Sequence, residues 1–346
     1  MVRAAFKSQQ EGLAGGDLAY ATDLIGAVCV IAGAPAYLDS LIERFRPWRV
    51  RALPPQKASA VIYDWLARSM SFQGISDEVA RNYMDDHGAP TWADIEASLH
   101  GQGGCGRLQS FWQFEGCQYR KGEGTCSAMA HISNCPLPRQ PFRNGNLNQL
   151  AYSLYFFVRD VAQGDLVGWV DAQLADADVA EAPDRLSRMA TAIVTPLKGI
   201  FGVSDKVLNM VFADFLLGAG RPNARWAEVG ATMIAIDTLV HNFLHRSGML
   251  RRAEAEHLYG AQCYGPGGCA AILRQISSAI DARGFNPKFP VYFPRYIQKC
   301  VWQFCSQQGF DVCNGMRVDD SARCDQVECR LFGRCDRRAL KSLAAA

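Results

Sequence analysis

The sequence predicts an all-α fold, and two observations carry this prediction. Apolar residues recur at helical spacing along most of the chain, and no segment alternates apolar and polar residues as a half-buried strand does. Apolar residues make up 49% and charged residues 20% of the 346 positions, which is typical of a globular protein. This length exceeds that of a usual single domain, so we expect one large domain or two that pack closely.

The first hundred residues contain a series of short predicted helices. Apolar residues are spaced helically in residues 36–45, and another helical pattern begins at Ala58. Ser76 is a good N-cap for a further helix that Gly88 would end, and Thr91 is a good N-cap for the next one. Short connections join these segments, as expected for an all-α domain.

The residue pattern changes between residues 100 and 146, where glycines, cysteines and loop-forming residues replace the helical periodicity. We interpret this segment as a Cys-rich insertion. Beyond it, helical periodicity is predicted for residues 147–161, 182–194, 206–217 and 226–250.

Composition and charge exclude several classes. The least polar stretch, residues 24–38, is only 15 residues long, whereas a membrane span needs about 20. The N-terminus lacks an apolar core and a small-residue cleavage site, so we expect a cytoplasmic protein with no membrane partner. The net charge of +2 does not by itself predict a nucleic-acid partner, although basic groups can be concentrated on one face.

The chain has 13 cysteines. Disulfides are rare in the cytosol, so clustered cysteines there indicate a metal or an iron–sulfur cluster.

Two segments carry the main chemical signal. Residues 198–217 (KGIFGVSDKVLNMVFADFLL) form a glycine-rich turn between two helices, with Lys206 in the first turn of the second helix. The free amides at such a helix start can bind a phosphate, although turn formation alone also explains the glycines. Asp237 follows the apolar run ATMIAI and precedes TLVHNFLHRSGML, where N-capping is its simplest role.

Together and in this order, the two segments resemble the helix-hairpin-helix DNA glycosylase superfamily, which includes endonuclease III, the adenine glycosylase and the 8-oxoguanine glycosylases. IFGVSDKVL (residues 200–208) corresponds to L-P-G-V-G-x-K-T-A in that superfamily, and IDTLVHNFLHRSG (236–248) corresponds to V-D-T-H-V-x-R-V-x-x-R-L-G. Upstream, WLARSMSFQGISD is similar to the early helix that ends in L-S-x-Q-x-T-D, and Gln73 matches its glutamine. Downstream, VWQFCSQQGFDVC is similar to the segment before the iron–sulfur loop of the endonuclease III branch.

The resemblance implies a two-lobed helix-hairpin-helix glycosylase fold with a Cys-rich insertion and a C-terminal metal-cluster loop. Residues 1–57 would be a helical segment that packs with the C-terminal lobe. Residues 58–217 would form a helical barrel with the hairpin and, at 100–146, the insertion. Residues 218–346 would carry the aspartate helix and the cluster.

It also implies the activity of a DNA repair glycosylase and lyase. Lys206 would attack the sugar and form a Schiff base, and Asp237 would stabilise the positive charge that develops there. The expected partner is double-stranded DNA that contains a damaged or modified base. We expect the protein to be a monomer that associates with the nucleoid through this DNA. The sequence does not identify the base.

The DNA contacts implied by the resemblance come from the hairpin and two helices. Gln73 would fill the gap left by the extruded nucleotide, or cap its loop instead. The remaining contacts would come from Gly199, Gly202, Ser204, His241 and Arg246. The chain departs from the pattern in having Ser204 in place of the second hairpin glycine, Asp205 beside it, and a longer link at residues 218–226.

Two cysteine sets are candidate metal sites. Cys313, Cys324, Cys329 and Cys335 are spaced x10, x4 and x5, and only the last interval agrees with the C-x6-C-x2-C-x5-C of the endonuclease III branch. Four thiolates suit a [4Fe–4S] cluster, with zinc as the alternative. In the insertion, Cys117, Cys126, His131 and Cys135 have intervals compatible with a second metal, zinc, or are free buried cysteines.

Two other interpretations stay open. The chain could be a non-catalytic iron–sulfur protein that binds DNA, or a metal-dependent enzyme that uses the cysteines of the insertion. His241 and His245, four residues apart on one helix, could also bind a metal, but the sequence offers no clear third ligand, so packing or DNA contact is the alternative. Cys263, Cys269, Cys300 and Cys305 have no assigned role, and each pair could line the cluster or simply pack.

Overall fold

The computed structural model describes residues 12–70, 79, 82, 84–86, 88–100, 105–120, 123, 125–130, 146–219 and 223–340. Within these ranges the chain is mostly helical, and the strands β1 (Tyr119–Arg120) and β2 (Thr125–Cys126) form one short antiparallel pair. The all-α prediction is therefore confirmed, and the strand pair lies inside the predicted insertion.

The described helices follow one another with short connections. In chain order they are α1 (Gly15–Ala32), α2 (Tyr37–Phe45), α3 (Pro55–Met70), α4 (Trp92–His100), α5 (Phe111–Phe114), α6 (Asn146–Phe156), α7 (Leu166–Ala177), α8 (Arg185–Leu197), α9 (Asp205–Ala219), α10 (Ala224–Thr232), α11 (Thr238–Arg246), α12 (Met249–Arg252), α13 (Cys269–Ser278) and α14 (Pro294–Cys305). A π-helical turn, Phe157–Val161, continues α6. Single 3₁₀ turns occupy Arg46–Trp48, Gly106–Leu108, Ala261–Tyr264 and Ala282–Gly284.

Capping residues set several helix ends. The Thr91 hydroxyl accepts a hydrogen bond from the Asp94 amide at 3.2 Å, and the Asp94 carboxylate accepts one from the Thr91 amide at 2.9 Å, which is a reciprocal capping box for α4. Gly88 adopts a left-handed φ of 71°, and its amide donates to the Met84 carbonyl at 2.9 Å. These two predicted helix ends are confirmed, whereas Ser76 lies outside the described residues.

The chain divides into two compact units. Unit 1 combines Met1–Asp39 with Ala231–Ala346, and unit 2 is the continuous segment Ser40–Gly230. These boundaries differ from the expected ones after residues 57 and 217.

Aromatic packing explains both differences. Phe45 packs edge-on against Trp65 of α3 at 4.9 Å between ring centroids, so the chain before α3 joins unit 2. Trp226 packs on Phe215 at 5.2 Å and donates to the Asp171 carboxylate at 2.6 Å, which joins α10 to the same unit.

The core of unit 1 is built on α1 and α14, which pack side by side. Leu24, Ile25 and Val28 of α1 are fully buried, as are Ile297 and Val301 of α14. Among the described residues, α1 is the one helix long and apolar enough to cross a membrane by length and composition, with a mean hydropathy of 1.4. Core helices of globular proteins share that character.

The segment predicted as helical from residue 226 to 250 is divided. Helix α10 ends at Thr232, and α11 begins after Asp237. Between them, the Ile236 amide donates to the Tyr264 hydroxyl at 2.8 Å instead of to a helical carbonyl. This side-chain contact, which comes from a distant part of the sequence, explains the interruption.

Candidate active site and metal centres

The hairpin, residues 198–206, joins α8 to α9 in unit 2. Gly202 adopts a left-handed φ of 68°, which a residue without a Cβ adopts easily. The Phe201 amide donates to the Ser153 hydroxyl of α6 at 3.0 Å, and Lys198 forms an ion pair with Asp205 at 2.9 Å. The turn is thus anchored on both sides.

The predicted residues of the hairpin lie at its outer surface. Gly199, Gly202 and Ser204 are exposed, and Lys206, in the first turn of α9, is half-buried. The first amides of α9 have no helical acceptor, and they lie at the positive end of the helix dipole. The departure at Asp205 has a structural consequence, because its carboxylate pairs with Lys198.

Asp237 is the N-cap of α11 in unit 1. Its backbone is extended, and its carboxylate accepts a hydrogen bond from the Val240 amide at 2.9 Å. The side chain is half-buried. The predicted N-cap position is confirmed, and Lys206 and Asp237 belong to different units.

Two tyrosines of a later loop hold the backbone next to Asp237. The Tyr264 hydroxyl accepts from the Ile236 amide at 2.8 Å, and the Tyr259 hydroxyl donates to the Ile236 carbonyl at 3.5 Å. Burial raises the pKa of Tyr259, and the nearby charge of Asp237 adds to this shift. The loop therefore positions the start of α11.

Four side chains of unit 1 converge one turn along α11. We call them the His/Cys group: His241, His257, Cys263 and Cys269. Their ligand atoms all lie within 4.8 Å of one another. His241 is 5% exposed, and both cysteines are fully buried. This group could hold a metal ion.

The contacts inside the His/Cys group are short. The Cys269 sulfur lies 3.3 Å from His241 Nδ1 and 3.4 Å from His257 Nε2, and the Cys263 sulfur lies 3.5 Å from His241 Nδ1. A hydrogen bond from Cys269 lowers the pKa of Cys263 to about 3, and the same pairing raises the pKa of Cys269. The thiolate is the form of cysteine that binds metals.

Sequence reasoning did not identify three members of this group. The signal that the sequence offers is the series His241-x15-His257-x5-Cys263-x5-Cys269, in which the last three residues follow one another at equal, short intervals. Within the part of the chain that the structure describes, His245 does not join His241 in a group that could hold a metal. His245 is buried beside Glu256, 3.8 Å away, and its ring nitrogens have no hydrogen-bond partner within the described part of the chain.

The C-terminal cysteine set forms a second cluster in unit 1. We call it the cysteine loop: Cys313, Cys324, Cys329 and Cys335. All four line one small cavity with apolar walls from Phe243, Phe304 and Leu331. Burial raises the pKa of Cys335 to about 12, and the other three sulfurs add to this shift. The spacing, although unlike that of the resembled family, brings the four sulfurs to a common cavity.

Arg246, at the end of α11, lines the same cavity. Its side chain is 1% exposed and forms an ion pair with Asp320. The Nε and Nη1 atoms of Arg246 are buried with no hydrogen-bond partner in the part of the chain that is described. A buried cation with unused donors favours a negatively charged occupant.

The expected DNA contacts of α11 are not available at a surface. His241 faces the His/Cys group, and Arg246 faces the cysteine loop, because both side chains point into the core of unit 1. Gln73 lies outside the described residues.

The insertion is described in part. Cys117 is half-buried near Cys105 and Cys126, whose charges contribute to raising the pKa of Cys117 after the larger effect of burial. The Ala128 amide donates to the Cys126 sulfur at 3.4 Å. His131 and Cys135 lie outside the described residues.

Comparisons of the chain with protein-family models, with curated proteins and with solved structures give no match.

Proposed function

We propose that this protein is a DNA glycosylase that releases a damaged or modified base from double-stranded DNA and cleaves the strand. The observation that carries the proposal is the pair of ordered segments, residues 200–208 and 236–248, that resemble the helix-hairpin-helix DNA glycosylases. Within the second segment, the Asp237 carboxylate is half-buried at the start of α11 and accepts a hydrogen bond from the Val240 amide. A carboxylate fixed in this way can stabilise positive charge on a sugar.

The hairpin supports the same proposal. Its exposed glycines and the first backbone amides of α9, which lie at the positive end of the helix dipole, suit a backbone phosphate of DNA. Lys206 follows directly, and it is one of only two lysines between residues 122 and 287.

The chemistry assigns separate roles to the two side chains. The Lys206 amine forms a bond to C1′ as the bond from C1′ to the base breaks, and the base leaves with the bonding electrons and takes up a proton. Loss of the amine proton and opening of the sugar give an imine, from which β-elimination expels the 3′ phosphate. Asp237 stabilises the oxocarbenium-like state.

For the cysteine loop we propose a [4Fe–4S] cluster, with zinc as the alternative, because four thiolates are the ligand set of such a cluster. The four cysteines line one cavity. The unused donors of Arg246 suit the negative charge of a thiolate-bound cluster. The cluster would cross-link the loop and supply a redox-active centre.

The test is trapping of the imine. The full chain is incubated with duplexes that carry different base lesions and with an abasic duplex, and borohydride is added. We expect a covalent adduct with wild type that Lys206→Ala abolishes. Lys57→Ala is the matched control, since Lys57 is an exposed lysine of the same unit outside the hairpin, and it should keep the adduct.

Other outcomes separate the competing functions. Base release without an adduct would make the enzyme monofunctional and dependent on Asp237. DNA binding with neither release nor adduct on any duplex would contradict the proposal and favour a non-catalytic DNA-binding protein. Loss of activity with a chelator, together with an active Asp237→Asn variant, would favour a metal-dependent enzyme.

A further inference from the structure

The His/Cys group has the donor set of a metal site that is separate from the cysteine loop. Two imidazole nitrogens and two sulfurs converge from α11, from α13 and from the loop between them. His241, Cys263 and Cys269 are buried, and packing alone would not require buried sulfurs to face imidazole nitrogens.

The distances fit one ion. Tetrahedral zinc with bonds of about 2.3 Å to sulfur and 2.0–2.1 Å to nitrogen places a sulfur and a nitrogen about 3.6 Å apart. The three measured separations are 3.3, 3.4 and 3.5 Å. A Rieske cluster, which also has two His and two Cys ligands, puts them on different irons and needs a wider arrangement. The geometry therefore suits a mononuclear site.

We propose that the His/Cys group binds one zinc ion that fixes the loop 253–268 to α11. Zinc accepts this mixed donor set in closed tetrahedral sites. His257 lines a surface cleft together with Glu256 and Gly268, and this cleft is the route of entry that we infer for the ion.

The zinc site acts on the start of α11 through the loop it anchors. His257 and Cys263 bracket Tyr259, and Tyr264 follows Cys263 directly. Both tyrosines bind the Ile236 backbone, the position before Asp237. The zinc ligands are thus positioning residues for Asp237. This positioning role rests on the proposed function, whereas metal binding does not.

The decisive measurement is made on purified wild-type chain produced in medium with both zinc and iron. We expect zinc by elemental analysis. The variants Cys263→Ser and His257→Gln should each lose one equivalent of zinc per chain relative to wild type. Cys300→Ser, a buried cysteine of the same unit outside both metal groups, should lose none. Because the result is a difference from wild type, zinc in the insertion does not affect it.

Two further measurements keep the proposal testable if a variant misfolds. Zinc-edge X-ray absorption on wild type should require nitrogen as well as sulfur ligands, and cobalt(II) substitution should give the visible bands of a tetrahedral thiolate site. Chelation should speed hydrogen exchange at the Ile236 amide. Unchanged zinc in both ligand variants, or a Cys263–Cys269 disulfide in the isolated protein, would overturn the proposal whether or not base release is found.

Discussion

Substitution of Asp237 separates its capping role from its proposed chemical role. Asparagine caps a helix nearly as well as aspartate, whereas alanine cannot accept the hydrogen bond of 2.9 Å from the Val240 amide. We expect Asp237→Ala to lower the free energy of unfolding by about 1 kcal/mol. Asp237→Asn should lower the free energy of unfolding by only about 0.3 kcal/mol, because it removes a negative charge at the start of the helix.

Base release should respond differently from stability. Both variants remove the carboxylate charge, and loss of one preorganised electrostatic group typically slows a reaction by about 10²–10³-fold. We therefore expect Asp237→Asn to be nearly as inactive as Asp237→Ala while unfolding close to wild type. Single-turnover base release on the lesion duplex identified by trapping, together with urea unfolding, measures the two effects.

Asp165 provides the matched control. It is the N-cap of α7 in unit 2, and its carboxylate accepts from the Gly168 amide at 2.8 Å. Asp165→Ala should cost about the same 1 kcal/mol in stability, with base release unchanged. If Asp237→Asn releases base at the wild-type rate, Asp237 is only a cap and the proposed mechanism is refuted.

Three further predictions concern individual contacts. Arg246→Met should lower the iron content of the purified chain, because it removes the buried cation beside the cysteine loop; elemental analysis checks this. Asp178→Asn should lower the urea midpoint at neutral pH but not in acid. Hydrogen bonds, first from Arg185, lower the pKa of Asp178. Their contribution to stability is therefore complete above the unfolded-state pKa of about 3.9, and it is lost as the pH falls through the lowered pKa of the folded state. Gly248→Ala should destabilise the chain by about 1–3 kcal/mol. The φ of Gly248 is 79°, and an added Cβ would meet the Asp336 carboxylate. Gly284→Ala is the control, because an added Cβ there meets open space, and it should lower the free energy of unfolding by less. Urea unfolding measures both variants.

Local signals predicted the helices and several of their ends. Thr91 and Asp237 act within three residues of themselves, so their capping roles follow from the nearby sequence. The nearby sequence does not predict the division into two units, because that division depends on tertiary contacts such as the one between Phe45 and Trp65. Tertiary packing of this kind leaves no short-range pattern.

The candidate metal ligands show the same contrast. The members of the cysteine loop are close in sequence, which predicts one ligand set, and they line one cavity. For the His/Cys group, helical spacing points to His241 and His245, whereas His245 is not a member of the group. The true partners of His241 come from a loop and from α13, whose folding back onto α11 no spacing rule describes.

The discontinuity of unit 1 sets an order of events during synthesis. Helix α1 leaves the ribosome early, but its partner α14 follows only after all of unit 2 has been made. At about 5–20 residues per second, this delay is on the order of ten seconds or more. For that time an apolar helix with the character of a membrane segment lacks the helix that buries it. The ligand sets of the two candidate metal sites are complete only once Cys269 and Cys335 have been synthesised.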